Sequence, residues 1–348
     1  MPELWYAVAV LMLTAYVVLD GFDFGAGALH LFVAKTDTER REVLAAIGPY
    51  WDGNEVWLLA AGGALFVGFP KILSSGISGF YFAIFLVLWS LILRGIAIEF
   101  RSHVTDSIWR RTWDFGFAMA SILLPVFFGA ALGNLIRGVP LDPDGWFELA
   151  LFTDFTAKDP VGILDWYTVL VGVFALAALL GHGATFLAWK TDGAVHERSR
   201  ALVRRLYAVV AVLWVAVTAA TAAVNSDLIA ALPRRPLAIF LASWAAAGLA
   251  AVFAFTSRGR DRAAFLGSCS FLAGLSMATA ACVFPVMLRS LSNPALSLTA
   301  HNAGGDPEGL RTAVGWLVIG LPLVVLYYVI VFRLHRGKAV AAADGEGY

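Results

Sequence analysis

Nine apolar runs of about twenty residues or more constrain the fold of this chain more than any other feature of its sequence. About twenty apolar residues are what an α-helix needs to cross the hydrocarbon core of a bilayer. Helices are the simplest way to cross it, because every backbone polar group there must find a partner within the protein. We therefore predict an all-α integral membrane protein with nine transmembrane helices. The predicted spans cover residues 4–33, 55–73, 78–98, 114–136, 163–189, 203–224, 236–256, 263–287 and 313–332.

The composition agrees with a multi-pass membrane protein. Of the 348 residues, 60% are hydrophobic and only 14% are charged, whereas a soluble domain averages about 25% charged residues. The net charge of zero argues against a nucleic-acid partner. Cys269 and Cys282 lie in one apolar run, which is neither a disulfide framework nor a metal-ligand spacing. The first run lacks the features of a cleaved signal peptide, so we expect it to remain as a span.

The distribution of basic residues predicts the orientation. Seventeen of the 25 Lys and Arg residues fall in the loops after spans 1, 3, 5 and 7 and in the C-terminal segment, and seven fall on the opposite side. Basic residues are enriched in cytoplasmic loops. The N-terminus is therefore predicted outside and the C-terminus inside. The segments 137–162 and 288–312, rich in Pro, Gly and Asp, are expected to be ordered outer loops.

Two pairs of carboxylates interrupt the first two spans. Asp20 and Asp23 lie in span 1, and Asp52 and Glu55 lie at the start of span 2. A spacing of three residues places the members of each pair on a shared helix face. Carboxylates inside a membrane are costly and usually functional, and burial lets them exchange protons near neutral pH. With the predicted orientation, the four carboxylates form a cytoplasmic proton-uptake path.

Several of these polar residues also have structural interpretations. Asp52 and Asp114 are candidates for helix N-caps. Arg94 and Glu99, at the inner end of span 3, are expected to form a supporting ion pair. Trp51 suits an aromatic belt at the membrane boundary, with stacking on a quinone as the second interpretation.

The sequence offers no convincing pair of haem ligands. Of the six histidines, His182 is the one clearly inside a span, and His30 lies at the inner end of span 1. We interpret His182 as a packing residue, because axial haem ligation needs facing ligands within a bundle. No metal site is predicted. Glycines at Gly21, Gly25 and Gly27 are expected to let helices pack closely, as are those of the pair at 62–63.

Several motifs closely resemble subunit II of the cytochrome bd quinol oxidases. They are LDGFDFG at 19–25, GPYWDGNEVW at 48–57 and AGGALF at 61–66, with shorter matches at 78–81, 94–95, 99–101, 113–114 and 133–134. The match is specific over the first 140 residues. Beyond them it depends on length, span count and short fragments.

The resemblance implies a fold and an activity. The fold would be a single membrane domain with a first four-helix bundle at 1–136, a second at 163–287 and a ninth helix at 313–334. The complex would lie in the bacterial inner membrane, oxidise quinol and reduce O₂ to water, building a proton gradient without pumping. Subunit I would hold two haems b, haem d and the quinol site, while this chain ligates no haem. Small accessory subunits are also possible.

The resemblance also implies roles for individual residues. The acid of the family's proton path corresponds to Asp52, with Asp20 and Asp23 close to it, and Trp51 corresponds to a tryptophan near which some members hold a structural quinone. The alternative function is a proton-coupled secondary transporter. Transporters commonly have broken helices in two matching repeats. Here the buried acids fall in the first half alone, which favours the oxidase.

Overall fold

The computed structural model describes residues 1–341, which are mostly helical. Eight of the helices in this part of the chain are long and apolar enough to cross a membrane, and the number is nine if the bent pair of α3 and α4 is counted as one span. Two short 3-10 helices, at Leu232–Arg234 and Pro294–Leu296, lie in connections. The α-helices are α1 Pro2–Val33, α2 Asp37–Ile47, α3 Trp51–Gly68, α4 Pro70–Gly79, α5 Tyr81–Phe100, α6 Ser107–Arg137, α7 Trp166–Lys190, α8 Gly193–Val224, α9 Ser226–Ala231, α10 Pro236–Ser257, α11 Asp261–Val283 and α12 Pro307–Leu334.

The second predicted span, 55–73, is wrong at its C-terminal end. Helix α3 stops at Gly68, and α4 leaves it at an angle of 120°. Pro70 explains the break, because proline cannot donate an interior helical hydrogen bond but suits the first turn of a new helix. The 18 residues of α3 measure about 27 Å, close to the thickness of the hydrocarbon core.

A short helix that the hydropathy pattern did not predict, α2, follows α1. It begins with a capping box in which the Thr36 hydroxyl accepts from the Glu39 amide and the Glu39 carboxylate accepts from the Thr36 amide. Arg198 on α8 donates to Glu39 at 2.8 Å, and this hydrogen bond lowers the pKa of Glu39. Helix α2 is thereby fixed across the ends of α1 and α8.

Helices α1 and α7 meet in the centre of the protein at two glycines. A Cβ added to Gly25 would lie 2.6 Å from the backbone nitrogen of Gly183, so neither helix can carry a side chain at this contact. Beside it, Phe22 of α1 stacks on Phe186 of α7 at 4.1 Å between ring centroids. A continuous apolar core therefore includes residues from both segments predicted to form separate bundles.

The connections at the two predicted outer loops contain a short sheet and a buried ion pair. Strand β1, Val286–Leu288, pairs antiparallel with β2, Leu298–Thr299. Between α6 and α7, the buried side chains of Arg137 and Asp165 form an ion pair. The sequence did not predict this pair, because its partners are separated by a long irregular loop.

Helix α12 stands apart from the rest of the chain, and Leu310 is its one buried residue. It contacts α3 through Tyr328, whose hydroxyl donates to the Gly53 carbonyl at 2.6 Å and accepts from the Trp57 indole at 2.9 Å.

The glycine contact between α1 and α7 generates a prediction about stability. Gly25→Ala should lower the free energy of unfolding by about 1–3 kcal/mol, because the added methyl group overpacks two backbones. Gly320→Ala is the matched control, since a Cβ there meets nothing within 4 Å. Thermal denaturation of the purified protein measures both, and equal midpoints would contradict the prediction.

Candidate functional site

Arg94 lies at the centre of the candidate site. This residue of α5 is completely buried. One guanidinium nitrogen donates to Asp20 of α1 at 2.7 Å, and the other donates to Glu55 of α3 at 2.8 Å. The guanidinium carbon also lies 4.4 Å from the centroid of the Phe24 ring, a cation–π contact. Three helices are thus joined by one buried positive charge.

The predicted pairing of Arg94 with Glu99 is wrong. Five residues along a helix correspond to a rotation of about 140°, so the two side chains leave different sides of α5. Arg94 is buried, whereas Glu99 is exposed. The salt bridges described for Arg94 go to carboxylates on other helices.

Asp23 lies next to the Arg94 pair, on the same side of α1. It is completely buried and accepts a hydrogen bond of 2.7 Å from the amide nitrogen of Asn54. Asn54 also donates to the Leu19 carbonyl at 3.1 Å. Together with Asp20 and Glu55, this makes three carboxyl groups beside one guanidinium. Isolated buried charges are costly, and the guanidinium of Arg94 offsets part of that cost for the carboxyl groups around it.

Asp52, the other carboxylate predicted for the proton path, is not part of this buried group. It is exposed and occupies the first turn of α3, where the helix dipole favours a negative charge. The N-cap of α3 is Tyr50, so the N-cap interpretation of Asp52 is wrong. Trp51 beside it is 8% exposed and packs in the core. A quinone contact at Trp51 stays a prediction.

A second ionic cluster is centred on Asp114. Its carboxylate is bound by His30 at 2.7 Å, by Arg101 at 2.5 Å and by Arg40 at 2.8 Å. The N-cap interpretation of Asp114 is wrong, because α6 begins seven residues earlier with Asp106 as its cap. Asp114 instead joins α1, α2 and the end of α5 to α6.

Asp37 extends this second cluster toward the surface. It accepts from Arg101 at 2.7 Å and from Arg110 at 2.9 Å, and it forms a salt bridge with Arg41 at 3.3 Å. Burial opposes the charge of Arg101, but its bonds to Asp114 and Asp37 outweigh this effect and raise its pKa. Four arginines surround the two carboxylates Asp114 and Asp37 in this cluster. We call the end of the helices where this cluster lies the basic end.

The two completely buried histidines are engaged by the protein itself. His182 bonds to the Ser268 hydroxyl at 2.5 Å and to the Val18 carbonyl at 2.9 Å, and it stacks on Phe265. These contacts support its interpretation as a packing residue. His30 uses its Nε2 atom on Asp114. Both arrangements fit poorly with haem ligation. Among residues 1–341, no group of three or more His, Cys, Asp or Glu side chains is arranged to hold a metal ion.

Sequence reasoning missed Asn54 and the role of His30. Asn54 is uncharged and gave no signal beyond its place in the motif. His30 did carry a signal, because it follows Asp23 by seven residues and therefore lies on the same face of α1. The ligands Arg40 and Arg101 come from outside the spans, so hydropathy alone could not place them against Asp114.

Comparison with known proteins gives consistent results over nearly the whole chain. Residues 1–335 match the family model described as cytochrome bd terminal oxidase subunit II. The chain is 32% identical to cytochrome bd-I ubiquinol oxidase subunit 2 of Escherichia coli K12, covering 93% of this chain and 91% of that one. It is 30% identical to cytochrome bd ubiquinol oxidase subunit 2 of Bacillus subtilis 168, with coverage of 93% and 92%. The structure of bd oxidase from Geobacillus thermodenitrificans superposes with a TM-score of 0.71 at 17% identity, covering 96% and 98% of the two chains.

The Arg94 cluster generates a prediction about stability. Arg94→Gln should lower the free energy of unfolding by about 3–5 kcal/mol, because it leaves Asp20 and Glu55 without their buried counter-charge. Arg262→Gln, at an exposed arginine of α11, is the control and should change it little. Thermal denaturation of the purified protein gives the comparison. Similar midpoints for the two variants would contradict a central role for Arg94.

Proposed function

The chain belongs to the family of cytochrome bd terminal oxidase subunit II, and we propose that its Arg94 cluster conducts protons for quinol-driven reduction of O₂. As a member it is a subunit of an oxidoreductase complex of the respiratory chain, a multi-pass protein of the bacterial inner membrane that acts together with subunit I. Family membership favours this function over the proton-coupled transporter. The cluster of three carboxyl groups around one buried arginine carries the proposal.

The haems belong, in this proposal, to subunit I. The two completely buried histidines are bonded to Asp114, Ser268 and the Val18 carbonyl, which supports placing the haems in the partner. Two haems b and haem d in the partner would supply the electron transfer from quinol to O₂. The contribution of this chain is then to support subunit I and to hold and move protons. The basic end would face the cytoplasm, from which the protons are taken.

The exposed side of α3 suits contact with subunit I. Asp52, Val56, Leu59, Gly63 and Phe66 recur at intervals of four and three residues and form one exposed stripe. Leu59 is 75% exposed and Phe66 is 69% exposed. A Cβ at Gly63 would meet nothing within 4 Å, which leaves a notch where a partner helix can approach closely. At this surface Asp52 would pass protons between the two subunits.

Within the cluster, each residue has a distinct part in the proposed transfer. Asp20 and Asp23 accept and release the proton. Arg94 stabilises the carboxylate that remains after release, because its charge is fixed 2.7 Å from Asp20. Asn54 orients Asp23 by donating to one of its oxygens, which leaves the other oxygen able to exchange a proton. Glu55, with 28% of its side chain exposed, connects the buried group to the surface of α3.

Asp20→Asn tests the proton-conducting role. The amide keeps the shape of the side chain but cannot exchange a proton, so quinol-driven O₂ consumption should fall by about tenfold or more. Asp227→Asn is the matched control, because Asp227 is 87% exposed on the short helix α9. The visible spectrum of the complex should be unchanged in both variants. Full turnover of Asp20→Asn would remove the cluster from the proton path. Separately, a wild-type complex purified without any haem absorption would contradict the oxidase assignment.

Asp52→Asn tests the surface carboxylate separately. We expect slower O₂ consumption with the haem spectrum retained, because the exposed side chain contributes nothing to the packing of this chain. Turnover at the wild-type rate would exclude Asp52 from proton transfer. Loss of haem would instead assign Asp52 to assembly with subunit I.

A further inference from the structure

One face of α1 carries an unusual series of polar and small residues. Tyr16, Asp20, Asp23, Gly27 and His30 are all buried and fall within a sector of about 80° around the helix axis. The series starts beside the Arg94 cluster and ends at His30, in the cluster centred on Asp114. It therefore connects the two ionic sites along one helix.

Several buried polar atoms on or beside this face have no hydrogen-bond partner within residues 1–341. They are His30 Nδ1, Ser121 Oγ, Asp23 Oδ1, Asn54 Oδ1 and Arg94 Nε. Each comes from a side chain that is at least nine-tenths buried. Buried polar groups are normally paired with the protein or with ordered water. A series of such atoms along one face therefore favours a chain of water molecules.

Ser121 of α6 occupies the middle of the series. Gly27 admits it, because a Cβ there would lie 2.7 Å from the Ser121 Cβ and 2.8 Å from the Phe117 ring. Along the axis of α1, Gly27 is about 6 Å from Asp23 and about 4.5 Å from His30. Ser121 is thus placed between Asp23 and His30 along the axis of α1.

His30 faces charged groups from three elements. They are Asp114 of α6, Arg40 of α2 and Arg101 at the end of α5, and the ring of Phe117 lies 5.4 Å away. Asp114 accepts from Nε2, which fixes the ring and leaves the lone pair on Nδ1. Arg40, with 24% of its side chain exposed, is the outermost of these groups. Asp114 stabilises a proton arriving on His30, while the two arginines prevent it from being trapped there.

We infer that protons reach the Arg94 cluster from the basic end through His30 and Ser121, along this face of α1, and not through Asp52 alone. This inference rests on the proposed proton-conducting function. In each transfer a hydronium ion gives its proton to His30 Nδ1 and becomes neutral water, and the imidazolium releases the proton from Nδ1 to another water molecule, which becomes the next hydronium ion. The proton then passes the Ser121 hydroxyl and arrives at the free oxygen of Asp23. His30 and Ser121 end each cycle unchanged.

The test uses the whole oxidase complex in proteoliposomes, with proton uptake followed by a pH-sensitive dye during quinol-driven O₂ reduction. Ser121→Ala should slow uptake about threefold and His30→Gln about tenfold, below the full effect of a lost acid–base group because water partly substitutes. The rate of proton uptake should also lose its dependence on pH between about pH 5 and 8 when His30 is replaced by Gln. The haem spectrum should be unchanged. Ser199→Ala is the matched control, since its hydroxyl on α8 is equally buried and unpartnered but lies outside the series.

The outcomes separate this inference from the proposed function. Wild-type uptake in His30→Gln and Ser121→Ala, with slow uptake in Asp20→Asn, overturns the inference and leaves the Arg94 cluster in its role. Wild-type uptake in all three contradicts both. Loss of haem in His30→Gln, together with normal uptake in Ser121→Ala, also overturns the inference, because it assigns His30 to assembly. Equal slowing of uptake in Ser199→Ala would also overturn the inference, because Ser199 lies outside the series.

Discussion

The structure depends on the burial of one positive charge, that of Arg94. A buried guanidinium is stable only when its charge is paired. Asp20 and Glu55 meet this need from two different helices, so the register of α1, α3 and α5 is fixed by electrostatics as well as by packing. A shift of any one of these helices by a turn would leave a buried charge alone.

Two sides of helix α1 make different kinds of contact. Toward α7 it presents Gly25, which meets the backbone of Leu179 and Gly183, and Gly21, which lies against the Leu179 side chain. On another face it presents Asp20 and Asp23 to α3 and α5, and His30 to α6. The close glycine contact makes the first side dry and rigid. The polar side can therefore hold ionisable groups without loosening the core.

Much of the fold was predictable, because hydropathy responds to the length of a membrane crossing. The acidic motifs also identified Asp20, Asp23 and Glu55 before their partners were known. Two of the errors share one origin. The pairing of Arg94 with Glu99 and the cap at Asp114 were both argued from neighbours in sequence, whereas the partners of these residues lie on other helices. Periodicity describes one helix and says nothing about which helix faces it.

The sequence by itself determined the membrane-spanning class, the family and the presence of buried carboxylates in the first two spans, because each depends on local composition or on a contiguous motif. Tertiary structure alone decided that Arg94 joins Asp20 to Glu55, that Asp52 lies outside this group, and that His30 and Asp114 form a second cluster on the same helix. The physical reason is that a buried charge selects its partner by distance in space. In a helical membrane protein that distance is set by packing, as at Gly25 and Gly183, and not by separation along the chain.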